Sequence, residues 1–200
     1  MAVNLQKGQK VSLKKSDGRK LTRLMVGLGW DAAQKKKGGF FSSLFGSSES
    51  IDCDASVFMC QNGKFVDKDD LIYFGNLHHR SDAIQHMGDN LTGEGEGDDE
   101  QIFIDLDKLP RKYDKLIFVV NIYQALERKQ HFGMIKNAFI RIIDPDTREE
   151  LCRFNLSEDY TDMLSMIAGE VYKRSDEWKF NAIGSGTKDA NLTELSKRFK

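Results

Sequence analysis

The sequence contains little proline, little cysteine and no long apolar run. Only Pro110 and Pro145 occur among its 200 residues, so proline-rich linkers between domains are absent. Three cysteines without metal-type spacing predict a reducing compartment rather than a disulfide framework. No apolar stretch approaches the length of a transmembrane helix, and the first residues lack the apolar core of a secretory signal. We therefore expect a cytoplasmic protein without a transmembrane segment.

Cations are missing from one acidic part of the chain. Residues 88 to 107 hold eight Asp or Glu and no Lys or Arg, whereas residues 1 to 37 hold ten Lys or Arg against Asp17 and Asp31. The net charge of -1 hides this separation. One small body must therefore carry a basic face and an acidic pocket, which favours two kinds of partner.

The acidic stretch at residues 88 to 100 reads GDNLTGEGEGDDE, with six carboxylates and four glycines. Two carboxylates about 4 Å apart repel by roughly 1 kcal/mol in water and by about 4 kcal/mol near a protein surface. Glycines let backbone carbonyls turn inward beside the carboxylates, and such an oxygen cage suits calcium before magnesium. From these residues alone, an ordered calcium loop and a solvated acidic linker are equally consistent. The spacing differs from that of an EF-hand, and a phosphate-binding loop would carry a lysine.

Short segments of alternating polar and apolar residues, separated by turn residues, recur along the chain. In residues 51 to 60 the apolar side chains share one face, which puts Asp52 and Asp54 together on the other. The nearly continuous apolar run at residues 116 to 123 predicts a central strand buried on both faces. Together these segments predict an all-β fold, a two-sheet antiparallel β-sandwich with short peripheral helices. Loops cluster at the ends of a sandwich, so Asp31, Asp52 and Asp54 can meet the acidic loop at one end.

Some local patterns leave more than one interpretation. Residues 21 to 28 predict a strand, and the glycines that follow suggest a tight exit that places Asp31 just past the strand end. Residues 160 to 172 fit either a helix or a strand, because their apolar side chains also recur at helical spacing. The last segment, from Leu192, predicts a short helix capped by Asn191. The four histidines lack zinc spacing and are expected in solvent or in loops.

The segment at residues 35 to 50 combines three lysines, glycine and serine with Phe40, Phe41, Leu44 and Phe45. An ordinary flexible linker would not place four large apolar groups beside lysines. The segment suits contact with a partner or with an anionic membrane surface, lysines toward the headgroups and rings into the interface. An unstructured insertion is the alternative.

Seven short motifs follow one another along the chain: GLGWD at 27–31, DCDAS at 52–56, the acidic stretch at 88–100, IFVV at 117–120, NAFIR at 137–141, GE at 169–170 and EWKF at 177–180. Together they resemble the TerD family of tellurium-resistance and stress-response proteins. The likeness covers nearly the whole chain and implies a single domain over residues 1–200, with a flexible insertion at 35–50. It also implies a bacterial, cytoplasmic β-sandwich that binds calcium at one end, with a role in tellurite resistance and no firm catalytic activity.

Carried over residue by residue, the resemblance implies a set of calcium ligands. Carboxylates from several segments supply most oxygens, two backbone carbonyls complete the shells, and this number of oxygens favours two ions over one. The implied ligands are Asp31, Asp52, Asp54, Asp89, Asn90, Gly93, Glu94, Asp98, Asp99 and Glu100, with Asn90 and Gly93 contributing carbonyls. The assignment of ligands to each ion stays open.

Two function classes follow. The first is a calcium-dependent binding module of the stress response that contacts other stress-response proteins or attaches peripherally to the inner membrane surface. The alternative is a metal-dependent hydrolase that acts on a phosphate compound, with the ion as a Lewis acid. No histidine or serine is tied by spacing to the acidic stretch as base or nucleophile, so we expect a protein that is not an enzyme. The basic first segment lacks interleaved aromatics apart from Trp30, so no nucleic-acid partner is expected.

Overall fold

The computed structural model describes residues 2–32, 51–88 and 97–200, and these residues form twelve strands. In chain order the strands are β1 (Val3–Leu5), β2 (Lys10–Ser12), β3 (Arg23–Ala32), β4 (Cys53–Cys60), β5 (Leu71–Ile72), β6 (Ile84–His86), β7 (Glu100–Asp105), β8 (Lys115–Ile122), β9 (Ile135–Asp144), β10 (Glu149–Asn155), β11 (Ser165–Arg174) and β12 (Glu177–Thr187). The segment at residues 35–50 lies outside the described residues.

The strands form two sheets of six strands each. Sheet A has the order β1-β10-β9-β3-β7-β6, and sheet B has the order β2-β12-β11-β8-β4-β5. Neighbouring strands are antiparallel, except that β1 pairs with β10 in parallel. The predicted two-sheet β-sandwich is therefore confirmed.

The main core lies between the sheets, because apolar residues alternate along the strands. Val26 and Ile140 of sheet A share one buried cluster with Val57 and Phe118 of sheet B. The predicted central strand is confirmed as β8, which lies between β4 and β11 and has one partly exposed residue, Lys115, followed by a fully buried run.

A short helix near the end of the chain covers part of the outer face of sheet B. Helix α1 (Ala125–Arg128) follows β8, and α2 (Leu192–Ser196) follows β12. The predicted cap is confirmed, since Asn191 Oδ1 accepts the N–H of Glu194 at 2.9 Å. Leu195 packs in a second buried cluster with Phe58 on the outer face of β4. No helix in the described part of the chain is long and apolar enough to cross a membrane.

Two local predictions change in the structure. Strand β3 continues through the glycines to Ala32, so the predicted strand exit is wrong, and Asp31 lies inside the strand opposite Lys136. The ambiguous segment at 160–172 becomes β11 from Ser165 onward, because its side chains alternate between the core and the outer face. Its helical spacing was incidental, since a bulge between Ile167 and Gly169 shifts the alternation by one residue.

Candidate functional site

The acidic stretch connects two neighbouring strands at one end of sheet A. Strands β6 and β7 are antiparallel partners, with His86 opposite Ile102, and the N–H of Met87 donates to Gln101 O at 3.0 Å. Four of the implied calcium ligands in this connection lie outside the described residues: Asp89, Asn90, Gly93 and Glu94. The described residues therefore include only the two ends of the connection, residues 87–88 and 97–99, and the strands that these ends contact.

Asp99 and Asp31 lie together at this end. The N–H of Asp99 donates to Leu28 O at 2.8 Å, and Asp99 Oδ2 accepts the N–H of Trp30 at 2.6 Å. Burial raises the pKa of the Asp99 carboxyl, the Trp30 hydrogen bond opposes this rise, and the charges of Asp31 and Asp98 add to it. Like charges are therefore crowded beside Asp99.

Asp31 itself is exposed at the edge of this group. Its Oδ2 accepts a hydrogen bond from Asn137 Nδ2 at 2.7 Å, and Asn137 belongs to the neighbouring strand β9. This contact orients the Asp31 carboxylate while the side chain keeps its access to solvent.

Asp98, in contrast, forms an ion pair with Arg141. Its carboxylate accepts from Arg141 Nε at 2.7 Å and from Arg141 Nη2 at 3.0 Å, and the Asp98 side chain is fully buried. Arg141 also donates to Glu150 at 3.0 Å. Gly27 makes room for this pair, since a Cβ at that position would lie 2.2 Å from Asp98 Oδ1. This two-bond ion pair uses Asp98 to hold the loop on sheet A.

Glu100 points between the sheets and meets a histidine. Its Oε2 accepts the N–H of Ala55 at 2.6 Å and lies 3.3 Å from His86 Nε2. His86 Nε2 also lies 3.0 Å from Ala55 O, and His86 Nδ1 accepts the N–H of Gly88 at 3.1 Å. Burial lowers the pKa of His86, but the hydrogen bond and charge of Glu100, together with the Ala55 carbonyl and the charge of Asp54, outweigh it and leave the pKa raised.

His86 is the residue that the sequence analysis missed. The histidines were expected in solvent or loops, whereas His86 lies in a strand and is buried, so that expectation is wrong for it. The alternation in β6 carries the information, because His86 shares the inward face with Ile84 on either side of exposed Gln85.

Asp52 and Asp54 lie at the start of β4, in the other sheet. Asp52 Oδ2 is 4.0 Å from Arg128 Nη1, and the Asp54 side chain is buried on the outer face of sheet B. Burial raises the pKa of Cys53 well above its ordinary value, and the charges of Asp54, Asp52, Glu100 and Asp99 raise it further. The charges of all four carboxylates therefore act at the start of β4.

The structure thus brings the described acidic residues to one end but distributes them over different surfaces. Asp31 and Asp99 fit a hard cation best, because Asp99 Oδ2 accepts the N–H of the residue before Asp31 and the charge of Asp31 acts on Asp99. Asp98 is held by Arg141, and Asp54 faces away from sheet A. Across residues 2–32, 51–88 and 97–200, no three His, Cys, Asp or Glu side chains are grouped to hold a metal. A complete cation site would need ligands from residues 89–96.

A second buried charged group lies away from this end. Asp70 is fully buried and accepts from Tyr113 OH at 2.7 Å, Gln61 Nε2 at 3.1 Å and Arg80 Nη2 at 3.2 Å. His79 is also buried, in a loop, with Nε2 3.4 Å from Asp70 Oδ1. We call Asp70, Gln61, His79, Arg80 and Tyr113 the Asp70 network.

Comparison with known proteins adds to this geometry. A family model described as the TerD domain matches residues 1–199. The chain belongs to the TerD domain family. The stress response protein SCP2 of Bacillus subtilis is 54% identical over the full length of both chains. The tellurium resistance protein TerD of Serratia marcescens is 41% identical, over 93% of this chain and 91% of that protein. The resemblance based on the sequence motifs is therefore confirmed.

A solved structure agrees with the fold of this TerD domain. The crystal structure of a homologue of the telluride resistance protein TerD from Streptomyces coelicolor superposes with a TM-score of 0.63. It covers 90% of this chain and 98% of its own, at 17% sequence identity. At this identity the likeness concerns the fold alone.

Proposed function

We propose that this TerD-family protein is a calcium-dependent binding module of the tellurite and stress response. The observation that carries the proposal is the hydrogen bond of Asp99 to the N–H of Trp30, the residue before Asp31, at the end of sheet A where the acidic stretch connects β6 and β7. A divalent cation directly offsets the repulsion between the charges of Asp31 and Asp99. The family membership supports the stress-response part of the proposal.

Asp31 and Asp99 would hold calcium together with oxygens of Asp89, Asn90, Gly93 and Glu94, a set that suits one ion. The second ion, favoured by the ten ligands that the family resemblance implies, stays a prediction from the sequence. When bound, calcium would neutralise the loop and supply an electropositive point for an acidic partner group. The chain's own residues do the positioning: Leu28 and Trp30 fix the backbone and carboxylate of Asp99. Asp52, Asp54 and Glu100 add negative potential at the same end.

Calorimetric titration of the chelator-stripped protein with calcium tests this proposal. We expect saturable binding and a higher melting temperature, because a ligand that binds the native state stabilises it. Asp99→Asn should weaken the affinity by about tenfold, since a charged ligand becomes neutral. Asp107→Asn is the matched control, because exposed Asp107 lies beyond the far end of β7 beside Lys20. Equal melting temperatures with and without calcium would overturn the proposal.

The contact that calcium promotes is proposed to be a stress-response partner or the inner membrane surface. This proposal comes from the lysine and phenylalanine side chains of residues 35–50. Vesicles with anionic lipid, sedimented with the intact protein and with a deletion of residues 38–48, test the membrane arm. Calcium-dependent binding lost on deletion is expected, and equal binding by both proteins would remove the segment from the function.

A hydrolase is the weaker alternative because of the setting of His86, the histidine that lies beside the acidic end in the described part of the chain. His86 lies beside Glu100, yet both side chains are fully buried and turned to the backbone of Ala55. A general base must reach the proton that it abstracts from a substrate. We therefore propose a binding protein without catalysis. We also propose, from the sequence, that it acts in the cytoplasm. Hydrolysis of a phosphate ester that depends on His86 would contradict this.

A further inference from the structure

A cleft of about 760 Å³ opens on the outer face of sheet B. It is bounded by the end of β8, the segment at 65–74 and the start of α2. Small-molecule sites usually occupy roughly 300–1,000 Å³ and combine apolar walls with a few convergent polar groups. The cleft has the volume of such a site. Its walls are apolar, its floor is polar and its mouth carries lysines.

The walls carry exposed apolar side chains. Phe74 is 44% exposed and Tyr123 is 40% exposed, and Val66, which also lines the cleft, is more exposed still. These three are half of the six large apolar side chains that are exposed in the described part of the chain. Concentration of exposed apolar surface in a concave region marks a ligand site, and the two rings suit a planar aromatic ligand.

The floor offers hydrogen-bond acceptors. Asn121 is 8% exposed, and its buried Oδ1 has no hydrogen-bond partner within the described residues. A buried acceptor without a partner is costly, so a turn of the Asn121 amide that brings Oδ1 to a ligand N–H in the cleft would be favourable. Asp54, directly across the ladder from Asn121, lines the same floor. The acceptor of Asn121 therefore selects a hydrogen-bond donor such as an amino group.

The mouth has the opposite character. The exposed side chains of Lys68 and Lys200 line the cleft. An ammonium group is a strong, mobile point charge that binds phosphate well. A ligand that satisfies floor, walls and mouth together thus has an amino group, a planar ring and an anionic end.

We propose that this cleft binds a mononucleotide whose base carries an exocyclic amine. The amine lies on Asn121, the base packs against Tyr123 and Phe74, and the phosphate lies at Lys68. This site is independent of calcium, and it goes beyond the binding module proposed above.

Calorimetric titration of the full chain with adenosine monophosphate, in chelator, tests the proposal apart from calcium. We expect saturable binding and backbone amide shifts concentrated at residues 65–74, 121–124 and 190–196. Adenosine, which lacks the phosphate, and purine riboside monophosphate, which lacks the amine, should each bind at least about fivefold more weakly. No binding at millimolar nucleotide, or equal binding of all three compounds, would overturn the proposal.

Variants assign the contacts. Tyr123→Ala should weaken adenosine monophosphate binding by about tenfold through lost stacking. Lys68→Ala should weaken the nucleotide but leave adenosine unchanged, whereas Lys173→Ala, an exposed lysine on β11, should change neither. Asn121→Leu should abolish the preference for the amine.

Tyr123 and Lys68 are exposed enough for their variants to fold, so the test stands even if Asn121→Leu does not fold. Wild-type affinity in Tyr123→Ala would overturn the proposal.

Discussion

The Asp70 network and the acidic end of sheet A place carboxylates in the interior in opposite ways. Asp70 is surrounded by donors from Tyr113, Gln61 and Arg80, so its charge is compensated within the protein. Asp99 has like charges as neighbours, and its pKa is raised. The first arrangement supports the fold, whereas the second leaves negative potential at the surface for an external cation.

Removal of the charge from the Asp70 network should have the largest effect on stability. Asp70→Asn leaves the shape nearly unchanged but takes the charge away from Arg80 and turns one of the two acceptor oxygens into an NH2 donor. We expect the free energy of unfolding to fall by about 3 kcal/mol, as for other broken buried charge pairs. Urea denaturation measures this, with exposed Asp107→Asn as the control, because Asp107 pairs with Lys20 outside the network. A loss as small as that of the control would break the comparison.

Asp98 resembles Asp70 rather than Asp99, because its charge is compensated by Arg141 although it lies at the acidic end of sheet A. Arg141→Ala leaves the buried Asp98 charge without its two-bond partner, so we expect a loss of about 2 kcal/mol in the free energy of unfolding. Arg153→Ala on the adjacent strand is the control, because Arg153 lies over the Phe139 ring and holds no buried carboxylate. Equal stability of both variants would show that Arg141 does not compensate the Asp98 charge, so that Asp98 resembles Asp99 instead.

A smaller effect is expected at the edge of the Asp70 network. Tyr113→Phe removes the hydroxyl that donates to Asp70 and keeps the ring in the core, so we expect a loss of about 1 kcal/mol. The same urea experiment measures it. Tyr113→Phe combined with Asp70→Asn should lose less stability than the sum of the single changes, because both act on the hydrogen bond from Tyr113 to the charged Asp70. Strict additivity would contradict the network.

The smallest effect should have the opposite sign. Because its native pKa is raised above the ordinary 3.8, Asp99 binds its proton more tightly in the native state than in the unfolded state. The contribution of Asp99 to stability is therefore fully present below its pKa in the unfolded state. It is lost as the pH rises through its pKa in the native state. In chelator, Asp99→Asn should add about 0.5 kcal/mol at about pH 7 and nothing at about pH 3. Denaturation curves across this range measure it, and a destabilised variant at neutral pH would reverse the comparison.

Much of the fold could be predicted because its information is local. The apolar run of β8 and the Asn191 cap depend on neighbouring residues, and both are found as expected. The separate environments of Asp98 and Asp99 could not be predicted, because Arg141 is 43 residues away from Asp98 and reaches it only through the register of three strands. The sequence shows that these acidic residues are close together along the chain. Which hydrogen-bond and ion-pair partner each one has is decided by the tertiary structure.

The three consecutive acidic residues at the start of β7 have one more consequence. Asp99 and Glu100 each accept a backbone N–H, from Trp30 in sheet A and from Ala55 in sheet B. The amide resonances of Trp30 and Ala55 are therefore built-in reporters, one on each sheet, of the charge on their own carboxylate. A single amide spectrum, followed during acidification or metal addition, reads the two sheets separately without any attached label.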